Sequence, residues 1–186
     1  GSVFHAHRAL GLVDAAFQAP EAISKLKGSL AIGHNRYSTS GEPNLNNVQP
    51  MFAETVSGGF AVAHNGNLTN AYTLRRQLVE KGAIFQSSSD TEVIVHLVAR
   101  APEGDISERL VHALKKIKGA YSLVACAQGQ LIGVRDPCGV RPLVIGRIGE
   151  AYVLASETCA FDIIGAVYER DVLPGELIVI DSSGLR

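Results

Sequence analysis

The sequence has no excess of charge of either sign and no long apolar run. Its 17 Lys and Arg residues nearly balance 18 Asp and Glu residues, giving a formal net charge of -1. This balance, without a basic block, argues against nucleic acid or an anionic membrane as the main partner. No apolar run approaches the roughly 20 residues that span a bilayer, and no basic segment followed by a hydrophobic one opens the chain. We therefore expect a soluble, cytoplasmic protein that acts on a small polar substrate.

Cysteine is scarce as well. Cys126, Cys138 and Cys159 are an odd and scattered set, which fits neither a disulfide framework nor a CxxC metal site. General burial tendencies favour buried thiols over nucleophiles for Cys126 and Cys159, whereas Cys138 is expected in an exposed turn. His5 and His7 share one face of a predicted strand, but two histidines without a third ligand favour a surface pair. No metal site is predicted.

The sequence is rich in apolar residues, which make up 46% of its 186 positions, enough for the core of one globular domain. Strands are predicted on both sides of a helical middle section, and this order favours an α+β fold with antiparallel hairpins over a regular βαβ series. The predicted strands are Val3–Val13 with a turn, Leu30–Tyr37, Gly59–Ala63, Tyr121–Ala127, Leu131–Val134, Leu143–Ile145, Ala151–Ala155 and Glu176–Ile180.

Helices are predicted where apolar residues recur at helical spacing, after Leu68 and again from Ile94 and from Ile106. A shorter helix is predicted over Glu21–Lys27. Ser89 precedes Glu92 by three residues, and Asp105 precedes Glu108 by three, which is the spacing of a capping box at a helix start.

Three polar clusters stand at the ends of predicted elements. They are Gly33–Thr39, the Asn65-Gly66 pair in a predicted strand-to-helix turn, and Ser87–Thr91. The Asn65 carboxamide and the Gly66 backbone offer N–H donors that suit an oxyanion hole. Arg36 can grip a carboxylate with two hydrogen bonds, and Asp90 can pair with an ammonium group. These groups match the polar parts of glutamine, although each also has an ordinary structural explanation as a turn, a surface charge or a helix-dipole partner.

The sequence around these clusters resembles the glutaminase domain of class II glutamine amidotransferases, in particular the amidophosphoribosyltransferase family. The resemblance covers essentially the whole chain. The matching motifs are Gly33-His34-Asn35-Arg36-Tyr37-Ser38-Thr39, His64-Asn65-Gly66-Asn67-Leu68-Thr69-Asn70-Ala71, Ser89-Asp90-Thr91-Glu92-Val93-Ile94, Gly133-Val134-Arg135-Asp136-Pro137, Arg141-Pro142-Leu143 and Ser156-Glu157-Thr158-Cys159-Ala160-Phe161-Asp162.

The resemblance implies a role for each site residue. Asn65 and Gly66 would be catalytic as the oxyanion hole, Arg36 would bind the α-carboxylate of glutamine, and Asp90 its α-ammonium group. Thr39 would assist substrate binding and Tyr37 would belong to the route by which ammonia leaves. The implied fold is the four-layer α/β/β/α sandwich of N-terminal nucleophile hydrolases, incomplete at the N-terminus.

The family's nucleophile is an N-terminal cysteine, whereas position 1 here is glycine. An α-amino group suits proton transfer near neutral pH only at the chain terminus. Residues 1–186 are therefore expected to be a partial glutaminase domain, inactive alone, with a phosphoribosyltransferase domain after 186. Gly1-Ser2 fits either the remnant of a cleaved tag or native sequence, and the residues alone do not separate the two.

The resemblance further implies that glutamine supplies ammonia for 5-phosphoribosylamine synthesis from phosphoribosyl diphosphate, the first step of de novo purine biosynthesis. No cofactor is expected in this chain. Mg²⁺ is expected in the phosphoribosyltransferase domain, and some relatives carry an iron–sulfur cluster. A homo-oligomer is expected for the full-length protein. The alternative is a non-catalytic module of the same fold that binds an amino acid or mediates assembly.

Overall fold

The computed structural model describes residues 3–36 and 44–186. The described residues mix helices and antiparallel strands, so the predicted α+β class is confirmed. The helices are α1 (Val13–Ala16), α2 (Pro20–Ser24), α3 (Ala71–Glu80), α4 (Thr91–Ala99), α5 (Ile106–Leu114) and α6 (Cys159–Ile164), with a 3₁₀ turn at Leu45–Asn47. The strands are β1 (Met51–Thr55), β2 (Gly58–Leu68), β3 (Gly119–Ala127), β4 (Gln130–Arg135), β5 (Val144–Ile148), β6 (Ala151–Ala155), β7 (Val167–Asp171), β8 (Leu177–Asp181) and β9 (Gly184–Leu185).

The larger sheet carries the main core on one face. Its strand order is β1-β2-β3-β4-β8-β9, and all neighbouring strands are antiparallel. Successive side chains alternate between the two faces. Val62 and Leu123 point to the face where Ile94 of α4 and Leu110 of α5 pack, and all four are fully buried. Burial of each such side chain contributes about 1.5–3 kcal/mol, so this face fixes the register of the sheet.

The smaller sheet, with strand order β6-β5-β7, covers part of the other face. Ile145 of β5 packs with Ile178 of β8 and Val124 of β3. Gly133 permits this approach, because a Cβ there would lie 2.8 Å from the Leu154 side chain. On the outer side of the smaller sheet, Phe161 of α6 packs over Gly146. Helices, sheet, sheet and helix therefore stack as α/β/β/α, which confirms the four-layer fold expected from the resemblance.

The segment of residues 3–36 lies against the remaining part of the larger sheet's second face. The Phe4 ring contacts Phe52 at a centroid distance of 4.9 Å. A cavity of about 930 Å³ lies between this segment and the sheet, with Ala61 and Cys126 on its sheet side. The predicted strands over residues 3–13 and 30–36 are wrong. A strand requires a partner backbone, and within the described ranges no backbone hydrogen bond reaches residues 27–36.

Helix starts give one confirmed prediction and two corrections. Asp105 and Glu108 form the predicted capping box at α5. Glu92 instead accepts hydrogen bonds from the N–H groups of Gln86 and Ser87, ahead of α4. The capping box with Ser89 is therefore wrong. Asn65 and Gly66 lie within β2, not in the predicted turn, because pairing with β3 continues to Leu68.

None of the helices in the described part of the chain is long and apolar enough to cross a bilayer.

Candidate active site

Among the described residues, one edge of β2 has no neighbouring strand from His64 to Leu68, because β1 pairs only as far as Val62. The His64 N–H donates to Gln49 Oε1 at 2.7 Å, and the Leu68 N–H donates to Asp90 Oδ2 at 2.9 Å. Alternate residues of a strand direct their N–H groups to the same edge. The Gly66 N–H therefore points outward between the Gln49 and Asp90 side chains, and no loop or side chain in the described ranges accepts it.

The pairing of Gly66 with β3 gives the same orientation. Gly66 lies opposite Tyr121, and the Tyr121 carbonyl accepts a hydrogen bond from the Asp136 N–H at 2.8 Å, on the side away from β2. The two residues are thus a non-hydrogen-bonded pair, which leaves the Gly66 N–H free of the ladder. Gly66 has a φ of +151°, and a Cβ there would lie 2.1 Å from the Ala120 carbonyl oxygen. Only glycine fits this position.

The Asn65 side chain points to the other face of β2, where connections of the smaller sheet meet it. The Arg141 guanidinium donates to Asn65 Oδ1. Asn65 Nδ2 donates to Ser156 Oγ at 3.3 Å. A carboxamide nitrogen carries two hydrogens, so one remains for another acceptor. The half-buried amide is thus held at both ends and retains one N–H donor.

A buried carboxylate organises the loop that carries Arg141. Asp136 is fully buried and accepts hydrogen bonds from the backbone N–H groups of Cys138, Val140 and Arg141 at 3.0, 3.2 and 3.1 Å. Burial alone would raise the pKa of Asp136, but these backbone donors outweigh it and hold the pKa below its usual value.

Arg135 braces the same loop from outside. Its guanidinium donates to the carbonyl oxygens of Arg141, Val172 and Gly139 at 2.9, 2.8 and 3.0 Å. Residues 136–141 are therefore fixed by carbonyl and carboxylate contacts that do not involve Asn65. The loop is a rigid support for the Arg141 side chain.

Two histidines connect the polar clusters to β2. His34 Nε2 lies 3.1 Å from the His64 carbonyl oxygen, and His64 Nδ1 lies 3.3 Å from Thr91 Oγ1 and 3.7 Å from Asp90 Oδ1. Burial lowers the pKa of both imidazoles, most directly that of the almost inaccessible His64. Burial thus favours the neutral form of both rings, next to Asp90 at the open edge of β2.

The loop before Asp90 is held by α3 and α4. Arg75 donates to the Ser87 and Ser89 carbonyl oxygens at 2.7 and 3.2 Å. Glu92 accepts from Ser87 Oγ at 2.6 Å. Burial would raise the pKa of Glu92, but the hydrogen bonds from Ser87 and Gln86 lower it below the usual value. A charged Glu92 thus fixes the approach to Asp90.

The structure brings Gly66 and Asp90 to one edge of β2 and places the Asn65 amide on the adjacent face. Arg36 is exposed, follows His34 by two residues, and lines the 930 Å³ cavity, whose lining in the described chain does not include Asn65, Gly66 or Asp90. Tyr37 and Thr39 lie outside the described residues. The assigned roles of all six residues stay predictions.

Sequence reasoning gave no role to Gln49, Arg141 or Ser156, although all three contact the site. Arg141 and Ser156 belong to two of the motifs that carry the resemblance, and this membership could have marked them as candidate site residues. Nothing in the sequence indicated a role for Gln49. Its side chain binds the backbone of β2 where β1 no longer pairs with it, and only the folded sheet shows that this backbone lacks a strand partner.

In the described structure the three cysteines make no hydrogen bond to Asn65 or Asp90. Cys126 is buried as expected, and burial raises the pKa of its thiol to about 11. Cys138 is exposed, as expected. The expectation of a buried Cys159 is wrong, because the start of α6 faces solvent, and a hydrogen bond to Glu157 raises the pKa of this thiol. Within residues 3–36 and 44–186, no three His, Cys, Asp or Glu side chains are grouped to hold a metal ion.

The chain is similar to a known domain family and to whole enzymes that contain it. The family described as "Glutamine amidotransferase domain" matches residues 34–162. A protein of Rhizobium etli named amidophosphoribosyltransferase is 49% identical over 97% of this chain, and one of Bacillus subtilis with the same name is 46% identical over all of it. The chain spans only 36% and 39% of the length of these two relatives.

Solved structures agree with this similarity. The glutamine phosphoribosylpyrophosphate amidotransferase of B. subtilis, solved with ADP and GMP, matches 95% of this chain and 38% of its own, with a TM-score of 0.89 and 46% identity. A structure described as the allosteric regulatory enzyme of purine biosynthesis matches with a TM-score of 0.90 and 47% identity, over 95% of this chain and 38% of its own. The sequence motifs, the order of the layers and the match over residues 34–162 all indicate the same family. The chain belongs to the glutamine amidotransferase domain family.

Proposed function

We propose that the complete protein releases ammonia from the side-chain amide of glutamine and transfers it to phosphoribosyl diphosphate. The products would be phosphoribosylamine, glutamate and diphosphate. Family membership supports the glutamine half of this reaction, and the names of the relatives from R. etli and B. subtilis support the acceptor. The observation that carries the proposal is the outward Gly66 N–H beside an Asn65 amide with one remaining N–H donor.

In this proposal a thiolate attacks the carboxamide carbon of glutamine and pushes negative charge onto its oxygen. Asn65 Nδ2 and the Gly66 N–H donate to that oxygen. The proton that the thiol gave up is transferred to the amide nitrogen, which leaves as ammonia while the tetrahedral intermediate collapses to a γ-glutamyl thioester. Water then cleaves the thioester, which frees glutamate and restores the thiol. The donors are preorganised, because β2 fixes Gly66 and two side chains fix Asn65.

The ends of the substrate are assigned to charged groups. Arg36 binds the α-carboxylate and Asp90 the α-ammonium group, with Thr39 and Tyr37 assisting as the resemblance implies. Support comes from the placement of Asp90, whose Oδ2 binds the Leu68 N–H, two residues along the strand from Gly66. His34 links the Arg36 segment to His64 on the same strand edge.

The nucleophile lies outside the three cysteines of these residues in this proposal. The thiols of Cys126 and Cys159 both have raised pKa values, which disfavours the reactive thiolate. Cys138 lies in the Asp136 loop, where its N–H is a structural donor.

The test is Asn65→Ala in the complete gene product. Loss of one oxyanion donor should lower glutamine-dependent turnover by roughly 10² to 10³. Synthesis of phosphoribosylamine from free ammonia should stay within about twofold of wild type, because ammonia bypasses the amide hydrolysis. Both rates are measured by steady-state kinetics with phosphoribosyl diphosphate at saturation.

Asn46→Ala is the matched control, since Asn46 is exposed in the 3₁₀ turn and its side chain makes no hydrogen bond to another described residue. It should leave both activities unchanged. Equal loss of the glutamine-dependent and ammonia-dependent activities in Asn65→Ala would count against the assigned role.

A further inference from the structure

We propose that Arg141 is a positioning residue for the glutaminase reaction, because its guanidinium holds the Asn65 carboxamide in the orientation that leaves an Nδ2 hydrogen for the oxyanion. This inference rests on the proposed function, and it concerns a residue 76 positions away from Asn65 along the chain. Arg141 would act through Asn65 and need not touch the substrate.

The donor inventory of arginine fixes which amide atom faces it. A guanidinium has five N–H donors and no acceptor, so it can bind the Oδ1 side of a carboxamide and repels the NH₂ side. Rotating the Asn65 amide by half a turn would place donors against donors and would also remove the Nδ2 contact with Ser156 Oγ. The observed arrangement is therefore the one in which Nδ2 is the available donor.

The backbone of Arg141 is held in place without any contact to Asn65. Its N–H donates to Asp136 at 3.1 Å and its carbonyl accepts from Arg135 at 2.9 Å. Ser156 is an insufficient substitute, since a hydroxyl rotates and can accept or donate as its neighbours require. Of the two groups that contact the Asn65 amide, the guanidinium is the one that can only donate.

The charge of Arg141 is also available to the reaction. In the described part of the chain, no carboxylate forms an ion pair with Arg141, unlike Arg135, Arg147 and Arg170. Among the described residues, its guanidinium donates one hydrogen bond, to the neutral Asn65 amide. A net positive charge behind the amide polarises its N–H bonds and favours negative charge on the oxygen they bind.

The experiment compares Arg141→Met, Asn65→Ala and the double variant in the complete gene product. Arg141→Met should lower the glutamine-dependent kcat by roughly 10- to 100-fold, less than the loss of the donor itself. The KM for glutamine should change by less than about threefold and the ammonia-dependent rate by less than about twofold. The double variant should be no slower than Asn65→Ala, because both changes remove the same interaction.

Arg147→Met is the matched control, as Arg147 is partly exposed on β5 and pairs with Glu169 at 2.7 Å, on the other sheet. It should leave all rates unchanged. Folding of Arg141→Met is checked by circular dichroism. If that variant does not fold, Arg141→Lys replaces it, since lysine keeps the charge without the planar fork. Its glutamine-dependent kcat should fall by at least about threefold, and a wild-type kcat would overturn the inference.

The outcomes separate this inference from the proposed function. A wild-type rate in Asn65→Ala would defeat the proposed function. An impaired Asn65→Ala with a wild-type Arg141→Met, or a double variant that multiplies the two single losses, would defeat the role of Arg141 alone.

A second readout does not depend on turnover. In protein labelled with ¹⁵N-asparagine, Arg141→Met should shift the Asn65 side-chain NH₂ signals and speed their exchange with water by at least about tenfold, because the amide is then free to rotate. The Asn65→Ala spectrum identifies these signals. Unchanged signals in Arg141→Met would overturn the inference whatever the activity.

Discussion

At the scale of single residues, the site depends on groups that have almost no freedom to change. Gly66 lies where any Cβ would collide with the Ala120 carbonyl. The single carboxylate of Asp136 accepts hydrogen bonds from three backbone N–H groups. The first keeps an N–H donor open at the edge of β2, and the second keeps the Arg141 loop in place. In the proposed function, Gly66 would act directly as a donor, whereas Asp136 would act only through the loop that it holds.

Asp136 gives a pH-dependent prediction. Its folded-state pKa lies below the unfolded value of about 3.9, so its stabilising contribution is complete above that value and is lost as pH falls through the folded-state pKa. Asp136→Asn turns an NH₂ group toward backbone donors and should lower the free energy of unfolding at pH 7 by about 2–4 kcal/mol. Urea unfolding at pH 7 and at steps below pH 4 measures this difference in both proteins.

The difference in free energy of unfolding between wild type and Asp136→Asn should become smaller as the pH is lowered, because the wild-type carboxylate becomes protonated. Asp14→Asn, at an exposed position in α1, should track the wild type within about 0.5 kcal/mol at every pH. A gap that stays constant with pH would show that the charge of Asp136 does not stabilise the loop.

At the scale of elements, the strands of the larger sheet and the segment of residues 3–36 differ in their backbone hydrogen bonding. β2 and β3 pair over nine residues of each strand, whereas residues 27–36 have no backbone hydrogen bond within the described chain. In the 186-residue chain, amides of residues 27–33 should exchange with solvent at least about a thousandfold faster than those of residues 61–65 and 122–126. Hydrogen exchange followed by mass spectrometry of peptides measures this ratio, and equal protection in the two regions would contradict the account.

The sequence predicted best the short β-rich runs that are bounded by Gly and Pro. β3, β4, β6 and β8 were predicted to within about two residues, because such runs are typical of strands. The exposed edge strand β7 carries charged residues and has no such apolar run, and α6 is only six residues long. The segment from Leu30, apolar at its start and polar towards its end, was predicted as a strand because pattern alone cannot say whether a partner backbone is present.

For the candidate site, the sequence predicted the types of residue but not all of their contacts. The types of residue at Asn65, Gly66 and Asp90 pointed to oxyanion and ammonium binding, and the structure places Gly66 and Asp90 at one strand edge. The contacts of Arg141 and Ser156 with Asn65 could not be predicted from spacing, because they join two sheets that meet only in the folded chain.

At the scale of the whole molecule, these residues account for one part of a longer reaction path in the proposed function. The chain spans 36% and 39% of the relatives from R. etli and B. subtilis. The chemistry assigned to it is therefore the release of ammonia, while the use of that ammonia belongs to the complete protein. The central claim is that Arg36, Asp90 and the Asn65-Gly66 pair bind the three polar parts of one glutamine.

A crystal structure of the complete gene product with L-glutamate, the product of glutamine hydrolysis, tests this claim most directly. We expect the α-carboxylate on Arg36, the α-ammonium group on Asp90, and one side-chain carboxylate oxygen within about 2.7–3.2 Å of both Asn65 Nδ2 and the Gly66 nitrogen. Glutamate bound elsewhere, or bound with any of these three groups turned away from it, would contradict the account.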